Sequence, residues 1–321
     1  MDAFTFTERA EYERGFAAIY DHKIAPFLRE QEVARQAAIR RSRIWIRLIA
    51  GCSVVLAVLA FRLDPFLPIF PIFAGGSVAL LVYLTRGEKV QAEVTQFIRP
   101  VISDFFEDMT FSVTPPEGAF PKERLAALGI VPVADKSSIG PEIAGNWRGI
   151  SYRLTSVSFH NTHRDSDGKT KRTHLFGGIV LDIECLEEMP TVVFQPDLGG
   201  VLNAVLGWAT RKNRPPYRFE FPDARVEEVF EVYTDDPEQA RRLLHPEFGG
   251  KLLHFAQEYQ ASKSYIAAAF RGRHFYLAID LPYQFMSFDV AGQPLSECEN
   301  QIHKAMRDLM IPRRIIDMLV D

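Results

Sequence analysis

The sequence predicts an α+β protein: a transmembrane helical hairpin with a helical cytoplasmic stalk, followed by a mainly antiparallel-sheet domain with flanking helices. Three observations carry that expectation. Two apolar runs, residues 44–61 and 65–84, lie back to back with only Arg62, Leu63 and Asp64 between them. Segments rich in helix formers, with apolar residues spaced by three and four, flank the pair. Beyond Phe111 the chain breaks into short alternating stretches punctuated by Pro and Gly, without a regular strand–helix–strand alternation.

The hairpin follows from length and charge. Each run approaches the ~20 apolar residues needed to cross ~30 Å of hydrocarbon at 1.5 Å per helical residue. Arg29, Arg35, Arg40, Arg41, Arg43 and Arg47 precede or enter the first run, and Arg86 and Lys89 follow the second. The reversal offers only Arg62, beside Asp64. Excess Lys and Arg stay on the cytoplasmic side, so both termini are expected there. Arg40, Arg41, Arg43, Arg86 and Lys89 are then the expected membrane-surface contacts. Pro65, Pro68 and Pro71 would also permit a re-entrant hairpin, but the second run stays apolar throughout, which favours a full crossing. Gly51, Ser53 and Ala57, with Ala74, Gly75, Gly76 and Ala79, would let the two helices approach closely.

Composition bounds the rest. Hydrophobic residues make up 47% of the 321, an ordinary share, so a chain carrying this hairpin must be polar elsewhere. A net charge of −4 argues against nucleic acid as the main partner. Cys52, Cys185 and Cys298 are few, odd in number and far apart, which fits a reducing compartment. The acidic, polar start and the depth of the first apolar run argue against a cleaved leader, so the spans are expected to be permanent.

The expected partition is 1–43 as N-terminal cytoplasmic helices, 44–84 as the hairpin, 85–110 as a stalk helix and 111–321 as a cytoplasmic α+β domain. Residues 7–20 and 28–47 read as helical, with Pro26 separating or kinking them. Val90, Val94, Phe97, Ile98, Val101, Ile102 and Phe105 form one helical face that Pro100 should interrupt. The two prolines lie at similar distances from the spans, which suggests a stalk whose arms bend at one height. Residues 149–159 and 175–185 read as strands about a polar loop, 161–171, that contains the turn signal Asp167-Gly168. Further strands are expected at 191–194 and 228–234, and a short helix at 198–208. Asp236, Pro237 and Gln239 mark a helix start at the N-cap, N1 and N3 positions. Residues 264–270 and 274–280 suggest a hairpin around Arg271-Gly272-Arg273. Residues 294–320 suggest a closing helix that Pro312 splits, with Ile302, Met306, Leu309 and Ile316 inward.

The stretch from Val226 through Phe248, with Phe230-Glu231-Val232-Tyr233, then Asp236, Ala240-Arg241 and Leu243-Leu244, resembles the signature of the DUF3137 family. Phe275-Tyr276-Leu277-Ala278-Ile279 matches that family's later strand, and the twin hydrophobic runs fit as well. The resemblance implies a bacterial membrane-anchored protein, hence the inner (cytoplasmic) membrane, and supplies no established activity. Gly249-Gly250 departs from the pattern, where helix formers are expected, and puts the continuity of the local helix in question.

Candidate chemistry is sparse. His160, His163 and His174, with Asp165 and Asp167 between them, could ligate zinc or a similar ion, although the spacing matches no standard finger. Basic residues at Arg164, Lys169, Lys171 and Arg172, and at Arg211, Lys212, Arg214 and Arg218, could meet anionic lipid or simply be solvated. There is no P-loop, dinucleotide fingerprint, nucleophile elbow or CxxC. No cofactor is expected. The sequence favours a membrane-anchored, non-enzymatic module that binds a protein or the membrane surface. The alternative is a membrane-tethered hydrolase using a site near the histidine segment. Expected partners are the lipid bilayer and a protein of unidentified type, with homo-oligomerisation left open.

Overall fold

The computed structural model describes residues 4–63, 66–85, 87–115, 120–164, 168–196, 214–244, 246–260, 265–289 and 293–320. The chain clusters into two compact units. The first is Met1–Ile102 with Met286–Met306, and the second is Ser103–Phe285 with Arg307–Asp321.

In the first unit a single helical turn, α1 (Phe16–Ile19), leads through a π turn, Tyr20–Ile24, into α2 (Ala25–Phe61). The expected break at Pro26 is therefore a local widening of the helix. Proline lacks an N–H and crowds the carbonyl one turn back, and a π turn relieves both conflicts. The 37 residues of α2 would extend about 55 Å at 1.5 Å each. Two further helices follow, α3 (Ile69–Thr85) and α4 (Glu88–Phe105). Pro100 does not interrupt α4 as expected, because Val94, Ile98 and Ile102 are fully buried and hold the helix on both sides of it. Packing outweighs the one backbone hydrogen bond that proline removes.

α2 and α3 meet where side chains are small: a Cβ on Gly75 would lie 1.8 Å from Ser53 Oγ. Farther along, the rings of Phe27 and Phe97 stack at 4.0 Å. A small helical core lies in the same unit, built from Phe6, Phe16, Tyr20, Ile24 and Leu28 with Leu295, Cys298 and Ile302. Backbone anchors tie the returning segment in. Leu295 N–H donates to Glu32 (3.0 Å), and Arg99 Nε donates to the Met286 carbonyl (2.8 Å).

The second unit is an antiparallel sheet with helices on both faces. Its strands are β1 (Met109–Ser112), β2 (Lys136–Trp147), β3 (Ile150–Arg164), β4 (Thr170–Pro196), β5 (Tyr217–Arg218), β6 (Phe230–Thr234) and β7 (Ile266–Asp280). They run in the order β1-β2-β3-β4-β6-β5, with β7 on β4. The expected strands at 175–185 and 191–194 fall within β4, while those at 149–159 and 228–234 overlap β3 and β6, which begin only at Ile150 and Phe230. The presumed loop at 161–171 is instead mostly paired, since β3 runs to Arg164 and β4 resumes at Thr170. The expected helix at 198–208 lies outside the described residues.

β7 folds back on itself, as the expected hairpin requires. The Asp280 N–H donates to the Tyr265 carbonyl at 2.7 Å, whereas a straight run of that length would part them by roughly 50 Å. Gly272 turns the chain at φ +58°, and the flanking rings of Phe270 and Phe275 lie 4.7 Å apart. β4 pairs with both arms, through residues 178–184 on one and 192–194 on the other. β4 is therefore an arch, and the β7 hairpin fills it.

Both faces of this centre are covered. On one, Phe159, Phe176, Val180, Val193, Ala267 and Tyr276 pack with Leu125 and Leu128 of α5 (Lys122–Leu128). On the other, Phe194, Phe230, Phe270 and Phe275 form an aromatic cluster about Phe248. A short α6 (Ala224–Glu227) precedes β6, and α7 (Pro237–Leu243) follows it. Asp236 caps α7 as expected, accepting from Glu238 N–H (3.1 Å) and Gln239 N–H (2.9 Å). The next helix, α8 (Pro246–Gln260), runs unbroken through Gly249-Gly250, which corrects the expectation of a weak point there. A Cβ on Gly249 would lie 2.2 Å from the Phe221 ring, so close packing selects glycine at that position. The closing helix is split as expected into α9 (Cys298–Leu309) and α10 (Ile311–Val320), and Ile302, Met306, Leu309 and Ile316 are fully buried.

Candidate functional site

Three features of the described residues bear on function: an exposed apolar helix pair, the histidine ribbon, and a polar trough beside it. Between Ile44 and Leu84 most large hydrophobic side chains are exposed, and α3 buries none. The two helices are long and apolar enough to cross a membrane. Small-residue packing at Ser53 and Gly75 sets their register. Trp45 lies eight residues before Ser53 and Tyr83 eight after Gly75, so antiparallel packing brings both aromatics to one level. They are 55% and 48% exposed.

Trp and Tyr favour the headgroup level, where the ring is half in hydrocarbon and the polar tip is wet. Arg40, Arg41, Arg43 and Lys89 are exposed on the same side of that level, while Arg47, also exposed, lies two residues to its other side, within the first apolar run. Lys89 also lies 3.9 Å from Glu93. Arg86 lies outside the described residues. At the far end Leu63 and Phe66 are 82% and 77% exposed. The sequence reading passed over Trp45 and Tyr83; their placement at the inner edge of each apolar run was the available signal.

The structure divides the three histidines. His160 and His174 are cross-strand partners, while His163 pairs with Lys171 one position out of phase. Successive strand residues face opposite sides, so His163 points away from the other two. The expected three-imidazole metal set is not assembled, and no group of three metal-ligating side chains occurs among the described residues. Asp165 and Asp167 lie outside them.

His160 is buried, and its Nδ1 sits 3.2 Å from an Arg172 terminal nitrogen. Desolvation, reinforced by the charges of Arg172, His174 and Lys136, holds its pKa below the ordinary histidine value. The neutral ring can then accept a hydrogen bond from the guanidinium.

Beside this pair opens a trough of about 380 Å³, lined in part by Ser138, Gly140, Ser156, Ser158, His174 and Gly177. The His174 imidazole folds over Gly177, where a Cβ would lie 2.7 Å from its Nε2. Gly177 N–H donates to Asp280 (2.8 Å), and burial raises that carboxyl above the usual aspartate range.

Two of the basic residues have partners: Arg214 donates to Gln195 (2.7 Å) and Tyr233 (2.9 Å), and the exposed Arg218 donates to Glu227 (3.1 Å). Arg211 and Lys212 lie outside the described residues. An Asp182–His274 pair at 2.8 Å, stacked on Tyr276, was not anticipated, since the register that joins β4 to β7 created it. A larger open groove of about 800 Å³ carries both signs of charge, with Arg225 bonded to Asp223 (2.7 Å) and Arg314 to Glu258 (2.9 Å).

Neither the curated proteins nor the solved structures offer a match to this chain. Residues 174–320, from the first arm of β4 to the end of α10, match a family described as Protein of unknown function (DUF3137). The chain thus carries a DUF3137 domain over residues 174–320.

Proposed function

We propose that the chain is a two-span protein of the bacterial inner (cytoplasmic) membrane, with both termini cytoplasmic, whose α+β domain is a binding module for a protein or the membrane surface. One observation carries the reading: the apolar side chains of α2 and α3 are exposed together instead of being folded into a core. Leaving 21 large hydrophobic side chains between Ile44 and Leu84 in water would cost on the order of tens of kcal/mol at about 1.5–3 each. A bilayer removes that cost. The aromatic pair and the basic collar supply headgroup contacts at one end only.

The anchoring part is tested by alkaline carbonate extraction of membranes that contain the full chain. The wild type stays in the pellet. Leu56→Lys combined with Leu80→Lys, both on exposed faces of the spans, moves most of the chain into the supernatant. Release of the wild type by carbonate contradicts the reading.

A further inference from the structure

One face of β2, β3 and β4 changes chemistry along its length. Ser138 pairs with Ser158, which pairs with Gly177, giving a row in which no side chain exceeds serine. The next row on the same face is Lys136, His160 and His174. Rows two residues apart lie roughly 7 Å from each other along the strands. Beyond them stand Thr162 and Arg172, and Arg172 reaches back to His160 at 3.2 Å. On the reverse face the same strands carry Val157, Phe159 and Phe176, which are packed in the core. Small hydroxylic residues over a full apolar core leave the trough open; His174 lines it, and the row that His174 shares with His160 and Lys136, with Arg172 beyond, continues along the strands from that end.

The nearby carboxylates are engaged: Asp135 accepts from Thr162 N–H (3.3 Å) and Asp280 from Gly177 N–H (2.8 Å). Planar guanidinium, ammonium and imidazole N–H groups complement a tetrahedral oxyanion, and serine hydroxyls both donate to and accept from alcohols.

We propose that this trough binds a phosphate ester with a hydroxylated body, the phosphate held by Arg172, His174 and Lys136 and the body by Ser138, Ser156 and Ser158. His160 is a positioning residue, accepting from Arg172 and aiming its fork. Gly177 leaves the space into which His174 folds. The shared chemistry is a phosphate ester, whether free in solution or on a phospholipid headgroup. The site does not depend on whether α2 and α3 cross a membrane.

Calorimetric titration of the full chain in neutral detergent tests it. One arm uses sn-glycerol 3-phosphate, with glycerol as control. The other uses dihexanoyl phosphatidylglycerol, with dihexanoyl phosphatidylcholine as control. Saturable binding in the first arm alone assigns a free ester; preference for phosphatidylglycerol assigns a headgroup. In either case Arg172→Ala and Gly177→Ala weaken binding at least tenfold, and Ser158→Leu, which fills the trough on the face away from the core, abolishes it. Absence of saturable binding in both arms overturns the proposal, as does wild-type affinity in Arg172→Ala and Ser158→Leu.

Discussion

Glu32 shows how one side chain can hold two stretches of chain far apart in sequence. Its carboxylate accepts from Arg35 Nε and one Arg35 terminal nitrogen (2.8 Å each), from the Gln36 amide (3.0 Å), and from the Leu295 N–H (3.0 Å). Desolvation alone would raise its pKa, but those donors, Arg35 first, hold it down at about 2. A folded pKa below the unfolded one contributes stability that is fully present above the unfolded value and is lost as pH falls through the folded value. From the ordinary glutamate range down to about 2, the full chain should therefore lose stability, up to about 3 kcal/mol from this group. Thermal unfolding in detergent across that window should show a falling Tm, and Glu32→Gln should flatten the fall. An unchanged slope in the variant would remove Glu32 as its cause. Glu13 behaves alike: burial would raise its pKa, yet the Arg9 and Ala10 N–H groups and His303 lower it.

At the scale of elements, local signals were legible and long-range ones were not. The Asp236-Pro237 start of α7 could be read because a cap depends on neighbours within three residues. The β7 turn could be read because Arg271-Gly272-Arg273 separates two apolar runs. Pro100 misled because burial of Ile98 and Ile102 decides that helix, and burial is not visible along a sequence. The histidine segment misled because polar composition suggested a loop, while cross-strand pairing carries β3 to Arg164.

Gly249-Gly250 misled for a third reason, since the residue that demands glycine, Phe221, lies 28 positions earlier. Here the two glycines should behave oppositely. Gly249→Ala forces the Phe221 ring to move and should destabilise by about 1–3 kcal/mol, less the gain in helix propensity. Gly250 has nothing within 4 Å of its Cβ position, so Gly250→Ala should stabilise by up to about 1 kcal/mol. Urea midpoints of the two variants at constant m-value check the pair. Equal shifts of one sign would refute the packing explanation.

At the scale of the molecule, the chain is two units threaded through each other in sequence. Met286–Met306 leaves the sheet-bearing unit to join the N-terminal helices, and Arg307–Asp321 returns. Hydrophobic periodicity gives the helices of that excursion but not their destination, because periodicity reports a buried face and not its partner. The trough was equally hidden, since Ser138, Ser158 and Gly177 are unremarkable until pairing sets them in one row.

The apolar hairpin was the most legible part of all, and it carries the central claim that the chain crosses the bilayer twice with both termini inside. A membrane-impermeant maleimide applied to intact spheroplasts tests that claim most directly. The native cysteines, Cys52 within the first span and Cys185 and Cys298 beyond the hairpin, should stay unlabelled, while Leu63→Cys at the reversal should label readily. Labelling of the native chain from outside, or a Leu63→Cys variant that stays unlabelled, would contradict it.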